Sequence, residues 1–178
     1  MKIRGCRFNI YLALALTAAA VCGCRTASER KANRMLSTLR LHLQTSRDAT
    51  GAVKEVPIYR QQPFMINVQR EPCLNEANVT EAKVIEVMGG FALRIQFDHQ
   101  GATLLEQVST ANLGKRVAVF SQFGENMMQF RWLAAPVFSR RITEGVFIFT
   151  PDATREEAEE IALGLNNTAK ETHSWIDK

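Results

Sequence analysis

From Thr38 onward the chain alternates. In "TLRLHLQT", Leu39, Leu41 and Leu43 share one side while Arg40, His42 and Gln44 share the other, the two-residue period of a half-buried strand. "VPIYR" and "FMINVQR" repeat the pattern through Phe64, Ile66 and Val68, with Pro57 and Pro63 marking an edge or a bend. "AKVIEVM" and "FALRIQF" flank Gly89-Gly90, two residues that tolerate positive φ, so a β-hairpin is predicted with Phe91, Leu93, Ile95 and Phe97 facing the core. Residues 101–113 change to helical spacing through Leu104, Leu105, Val108 and Ala111, and Gly114 stands where a left-handed helix stop belongs. Strands "RVAVFS", "MQFRWLA" and "GVFIFT" follow. The last element is an amphipathic helix: Thr154 and Glu157 form a capping box, four glutamates crowd its positive end, and Ala158, Ile161, Ala162 and Leu165 make its apolar face.

Strands mixed with two substantial helices, hairpins among them, predict an α+β fold. The expected form is an antiparallel or mixed sheet with both helices packed on one face, a ferredoxin-like relative.

The N-terminus has a different pattern. Lys2, Arg4 and Arg7 precede an uncharged apolar run from Phe8 to Gly23, shorter than a membrane span and ending in small residues, the arrangement of an export signal. Val21-Cys22-Gly23-Cys24 resembles a bacterial lipobox. Cleavage before Cys24 places Gly23 in the small pocket such peptidases need, whereas cleavage before Cys22 would place branched Val21 there. The expected organisation is a signal peptide over 1–23, a lipid-anchored tether over 24–36, an α+β domain over 37–170 and a polar tail over 171–178. Arg25 after Cys24 lacks the Asp-type inner-membrane retention signal, so the expected location is the cell envelope, facing the periplasm, and the outer membrane in a Gram-negative cell.

This processing changes the reading of composition. The formal charge is +4, but three of the 22 basic residues lie in the signal, leaving 19 against 18 acidic ones, so the basic sequence does not mark a nucleic-acid binder. Of four cysteines, only Cys24 and Cys73 remain, too few for a disulfide framework or a cysteine metal cluster. Residues 25–60 hold eight bases and three acids, a segment that either attracts an anionic membrane surface or serves as a solvated linker.

Several stretches together resemble one family: "REPCLNEANVTEAKV", "LRIQFDHQGATLLEQVSTANLGKRVAVF", "AAPVF" and "ITEGVFIFTPDATREEAEEIALGLN", from about Glu71 to Asn166. They resemble the head of the first periplasmic domain of SecD, a subunit of the SecDF protein-export machinery. The specific pieces are Asn112-x-Gly114-Lys115-Arg116, Ala135-Pro136-Val137 and the segment beginning at Gly145. The resemblance implies a mobile periplasmic element that engages translocating polypeptide. This chain departs from it in having no multi-span region and in carrying "FGENMMQFRW" where relatives have a shorter glycine-containing turn. The motif residues read as fold-maintaining: Gly114 as a helix stop, Lys115 and Arg116 as a basic strand start, Ala135-Pro136 as a bend.

Reactive chemistry finds little purchase. Asp98-His99 with Ser109, Ser121 or Ser139 is the nearest to a nucleophile-base set, but neighbouring residues point apart and Asp98 suits a helix cap. His42, His99 and His173 show no ligand spacing, no phosphate loop is present, and Cys73 reads as a small hydrophobe. No catalytic, metal or cofactor site is expected. Phe130 and Trp132 are the candidate peptide contacts, with a core role as the alternative, and an unpaired sheet edge is a more generic peptide acceptor. Expected partners are a lipid anchor through Cys24 and unfolded or translocating polypeptide or Sec components. The competing readings are a structural envelope lipoprotein and, with least support, an enzyme using Asp98-His99.

Overall fold

The structure, a computed structural model, describes residues 34–47, 51–59 and 62–176 together with Ala32, with side chains described as far as Thr172. Cys24, the lipobox and the His173 side chain lie outside the described residues. The folded unit treated below is Arg34–Lys178.

Strand β1 (Thr38–Leu43) turns Leu39, Leu41 and Leu43 inward, as its alternation predicts. With β4 (Leu74–Asn75), β7 (Val117–Phe123) and β8 (Gln129–Ala134) it forms a four-stranded sheet in the order β4-β1-β7-β8. A second sheet has the order β5-β6-β9, from β5 (Val79–Val87), β6 (Gly90–Phe97) and β9 (Val146–Phe149). β2 (Val53–Ile58) and β3 (Phe64–Gln69) make a separate two-stranded sheet. Every pairing is antiparallel. The fold is α+β as expected, with its strands divided among three sheets. The β5-β6 ladder closes at Val87 and Gly90, so its tight turn is Met88-Gly89, one residue earlier than the glycine pair suggests.

Helix α1 (His99–Ala111) carries the chain from β6 in one sheet to β7 in another. It starts two residues before the expected position because Asp98 Oδ1 accepts the Gly101 N–H at 2.6 Å. It ends at Asn112, followed by Gly114 at φ +80°. Helix α2 (Arg155–Ile176) begins with the predicted capping box: Thr154 N–H donates to Glu157 Oε2 (2.9 Å) and Glu157 N–H to Thr154 Oγ1 (3.2 Å). It continues through most of the segment expected as a polar tail.

The inner faces of the four- and three-stranded sheets and both helices share one core, in which Leu39, Leu41, Ile95, Leu105, Ile161 and Leu165 are fully buried. Each such side chain contributes about 1.5–3 kcal/mol by leaving water. A second, smaller cluster lies on the outer face of the four-stranded sheet. There Val56, Ile58, Ile66 and Val68 of the β2-β3 hairpin pack on Ala118 and Ala135, whose small side chains let the hairpin approach closely. Thr45 N–H donates to the Asn67 carbonyl (2.9 Å), tying the hairpin to the end of β1.

Candidate functional site

The two short motifs of the sequence meet in space. Past the regular end of β7 and β8, Val117 N–H donates to the Pro136 carbonyl (2.9 Å), Phe138 N–H to the Lys115 carbonyl (3.0 Å) and Gly114 N–H to the Phe138 carbonyl (2.9 Å). Residues 114–117 and 135–138 are thus one continuous, irregular ladder. Asn112 closes α1 by donating from Nδ2 to the Val108 carbonyl (3.0 Å), and its Oδ1 accepts from Lys115 Nζ (3.2 Å). Arg116 donates to the Ala135 carbonyl (2.8 Å) and lies 5.3 Å over the Phe64 ring, joining the ladder to the β2-β3 hairpin. Gly145 lies apart from this group, against the first turn of α1, where Ala102 leaves no room for a side chain.

Phe130 and Trp132 are two residues apart on β8 and share the outer face of the four-stranded sheet. Phe130 is 71% exposed and Trp132 is half-buried, so the core role holds for neither in full. Cross-strand register places Phe120 opposite Trp132 and Gln122 opposite Phe130, with Arg40 next to Phe120 and Thr38 next to Gln122 on β1. The Phe120 and Trp132 rings are 5.1 Å apart at their centroids. The hairpin covers the neighbouring Ala118 row and stops at Trp132. Beyond it, Phe120, Trp132 and Phe130 form an apolar strip on an otherwise polar sheet face, and the 77%-exposed Met128 lies in the turn just before β8. The turn feeding β8 holds Asn126 and Met127 at φ 55° and 54°, a left-handed conformation that is uncommon for methionine. Sequence reading missed Phe120 and Met128. Phe120 carries a signal in hindsight, because its alternation with Val119 and Ser121 puts it on the Trp132 face.

His42, expected on an open strand face, is 7% exposed. The hairpin covers it: its Nδ1 lies 2.9 Å from the Gln69 carbonyl and its ring meets Trp132 edge-on at 5.2 Å. Burial pushes its pKa below the ordinary 6.5, assisted by the charges of Arg40 and Lys54 and opposed by the bond to Gln69.

Three residues of the hypothetical acid-base set, Asp98, Ser109 and Ser121, are engaged elsewhere, and Ser139 is exposed. Asp98 caps α1 while His99 is exposed. Ser109 Oγ donates to the Glu106 carbonyl and accepts the Ile142 N–H, and Ser121 Oγ donates to the Thr38 carbonyl. Cys73 donates its thiol to the Leu41 carbonyl (3.2 Å), and burial pushes its pKa up to about 11, which keeps it protonated at neutral pH. Among the described residues no three His, Cys, Asp or Glu side chains cluster as a metal site. What the arrangement offers is an apolar surface with one cation, Arg40, at its border.

Comparison with known proteins fits this geometry. The family described as SecDF, P1 head subdomain, matches residues 52–169, about two thirds of the chain. The chain belongs to the SecDF P1 head subdomain family. A protein translocase subunit SecDF from Thermus thermophilus is 32% identical over 97 residues, covering 54% of this chain and 12% of that protein. The chain thus spans about an eighth of that relative's length. A solved structure titled "Structure and function of a membrane component SecDF that enhances protein export" superposes with a TM-score of 0.54 at 21% identity, covering 83% of this chain and 71% of that one. A SecDF crystal structure in a super-membrane-facing form gives 0.53 at 20% identity, covering 80% and 21%. These two likenesses establish the shared fold. Among the described residues of this P1-head chain, no helix is long and apolar enough to cross a membrane.

Proposed function

We propose that this chain is a lipid-anchored, non-enzymatic module of the cell envelope that engages extended polypeptide, in the service of protein export or envelope assembly. The observation that carries the reading is the strip of Phe120, Trp132 and Phe130 on a strand face beside a docked hairpin, with Phe130 exposed and the other two rings half-buried. An extended chain crossing it would desolvate alternate apolar side chains, at about 25 cal/mol per Å² of apolar surface removed from water. Membership in the P1 head family supports the reading, since the solved relative is described as a membrane component that enhances protein export.

Anchoring rests on the Val21-Cys22-Gly23-Cys24 lipobox, with Arg25 directing the lipoprotein to the outer membrane of a Gram-negative cell. Cys24→Ser is expected to move the protein from the membrane to the soluble periplasmic fraction, and unchanged fractionation would refute the anchor. The polypeptide reading is tested by placing a photocrosslinking amino acid at Phe130 in living cells. Nascent secretory chains or export components among the adducts are the expected result. Adducts with resident envelope proteins alone, at good crosslinking yield, would make this a structural lipoprotein.

A further inference from the structure

The sheet edges of this molecule are treated unequally. β5 is covered by α2, and Asn166 substitutes for a neighbouring strand there: its side-chain amide accepts the Ala82 N–H (2.8 Å) and donates to the Ala82 carbonyl (2.9 Å). The β8 edge is closed where Asp152 N–H donates to the Leu133 carbonyl (2.7 Å) and Arg131 reaches the Asp152 carbonyl (3.0 Å). β4 is only two residues long, and β2 is blunted by Lys54, Glu55 and Pro57. Each is a recognised way of preventing an edge from pairing with another chain.

β9 has none of them. It pairs with β6 on one side only. Phe97 N–H donates to the Gly145 carbonyl (2.9 Å), so 97/145 is a hydrogen-bonded pair, and antiparallel alternation makes 95/147 and 93/149 the next ones. The N–H and C=O groups of Val146 and Ile148 therefore point out of the sheet, and no described residue pairs with them. The same alternation turns Ala82 outward on β5, where Asn166 does bond to it. Beside the β9 edge is a concavity of about 250 Å³ whose lining includes Phe138, Ile142, Val146 and Ile148, with Arg140 and Glu144 on its wall. Ile148 is 49% exposed. Arg141 is held by Glu106, whereas Arg140 has no acidic partner among the described residues.

We propose that β9 is a strand-addition site. An extended segment of another polypeptide pairs its main chain with Val146 and Ile148, sets an apolar side chain in the concavity, and presents a carboxylate to Arg140. The occupant is an apolar extended segment, because the edge offers main-chain groups beside an apolar floor, and its carboxylate falls to Arg140 because the acid on the wall, Glu144, repels it. This deepens the polypeptide-binding reading and rests on it, but it locates a second surface recognised through backbone hydrogen bonds instead of apolar contact.

The test uses the full-length chain in detergent and a fluorescein-labelled octapeptide of alternating valine and threonine carrying one glutamate, followed by anisotropy. Ile148→Pro removes an outward N–H at an edge position where proline is tolerated, together with part of the apolar lining, and it is expected to weaken binding at least tenfold. The same peptide N-methylated at its four central residues should lose at least tenfold on the unaltered protein, a readout independent of whether the proline variant folds. Arg140→Ala should weaken the glutamate peptide several-fold and leave a glutamine version unchanged. Equal affinity for the parent and N-methylated peptides would overturn the site while leaving polypeptide binding intact. A concentration-dependent dimer abolished by Ile148→Pro would overturn the proposed occupant in favour of a second copy. Absence of binding by any peptide, together with no polypeptide crosslinks at Phe130, would remove both readings.

Discussion

At Gly145 the backbone adopts φ +64°, and a Cβ built there would come within 2.6 Å of the Ala102 Cβ. Two penalties combine. A left-handed conformation costs an L-residue about 1–2 kcal/mol, and overpacking adds about 1–3 kcal/mol. Gly145→Ala is expected to lower stability by about 2–5 kcal/mol, read as a drop in urea midpoint at constant slope. In contrast, a Cβ at Gly114 meets nothing within 4 Å, and its cost is conformational alone. What the sequence reveals at single positions follows this division. The capping box, the Asp98 cap and the Gly114 stop were legible because their partners lie within a few residues. The reason for Gly145 was not, because Ala102 is 43 positions away. Phe130 and Trp132 were legible as a pair but not as a surface: alternation says that two side chains share a face, and only the extent of the covering hairpin decides which of them meets solvent.

At the scale of elements, the β2-β3 hairpin is held by a small cluster and by the contact of His42 with the Gln69 carbonyl. His42 keeps a depressed pKa in the fold and an ordinary one, near 6.5, when unfolded. Above that value neither state holds the proton and stability is unaffected. As pH falls through it, the unfolded state binds a proton that the folded state resists, so stability declines until the lower folded pKa is reached. The urea midpoint is expected to fall between pH 7.5 and 5.5, and His42→Gln to flatten that slope. A second test concerns the edge of β5. Asn166→Ala strands the Ala82 N–H and C=O and should cost about 1–3 kcal/mol. Asn166→Asp keeps an acceptor for the N–H but turns a second carboxylate oxygen toward the Ala82 carbonyl, so it should cost at least as much, and denaturation of the two variants ranks them. Neither contact was readable in advance. A polar residue on a helix face and a histidine on a strand face both look solvent-facing until the packing of another element covers them.

For the whole molecule, the expected α+β class and both helices are found, and the strands are divided among three sheets that a list of alternating segments does not sort. Sorting depends on long-range choices: β6 and β7 are joined by α1 yet belong to different sheets, and β1 pairs with β7 across some seventy intervening residues. The family motifs are informative for the same reason. Asn112 to Arg116 and Ala135 to Val137 are separate in sequence and form one ladder in space, so the turn between them can change length while their register holds.

The chain enters this unit along α2. Asn167 Nδ2 donates to the Met35 carbonyl (2.9 Å) and Thr168 Oγ1 to the Ser37 carbonyl (3.0 Å), while Gly164 leaves space for Ser37. The next residues form β1, an interior strand between β4 and β7. A pull applied at Arg34 along the axis of β1 would therefore load the β1-β7 ladder in shear, straining its hydrogen bonds together instead of opening them one by one. The N-terminal end of this unit is mechanically its strong end, while the β2-β3 hairpin, outside that line of force, is the part free to yield.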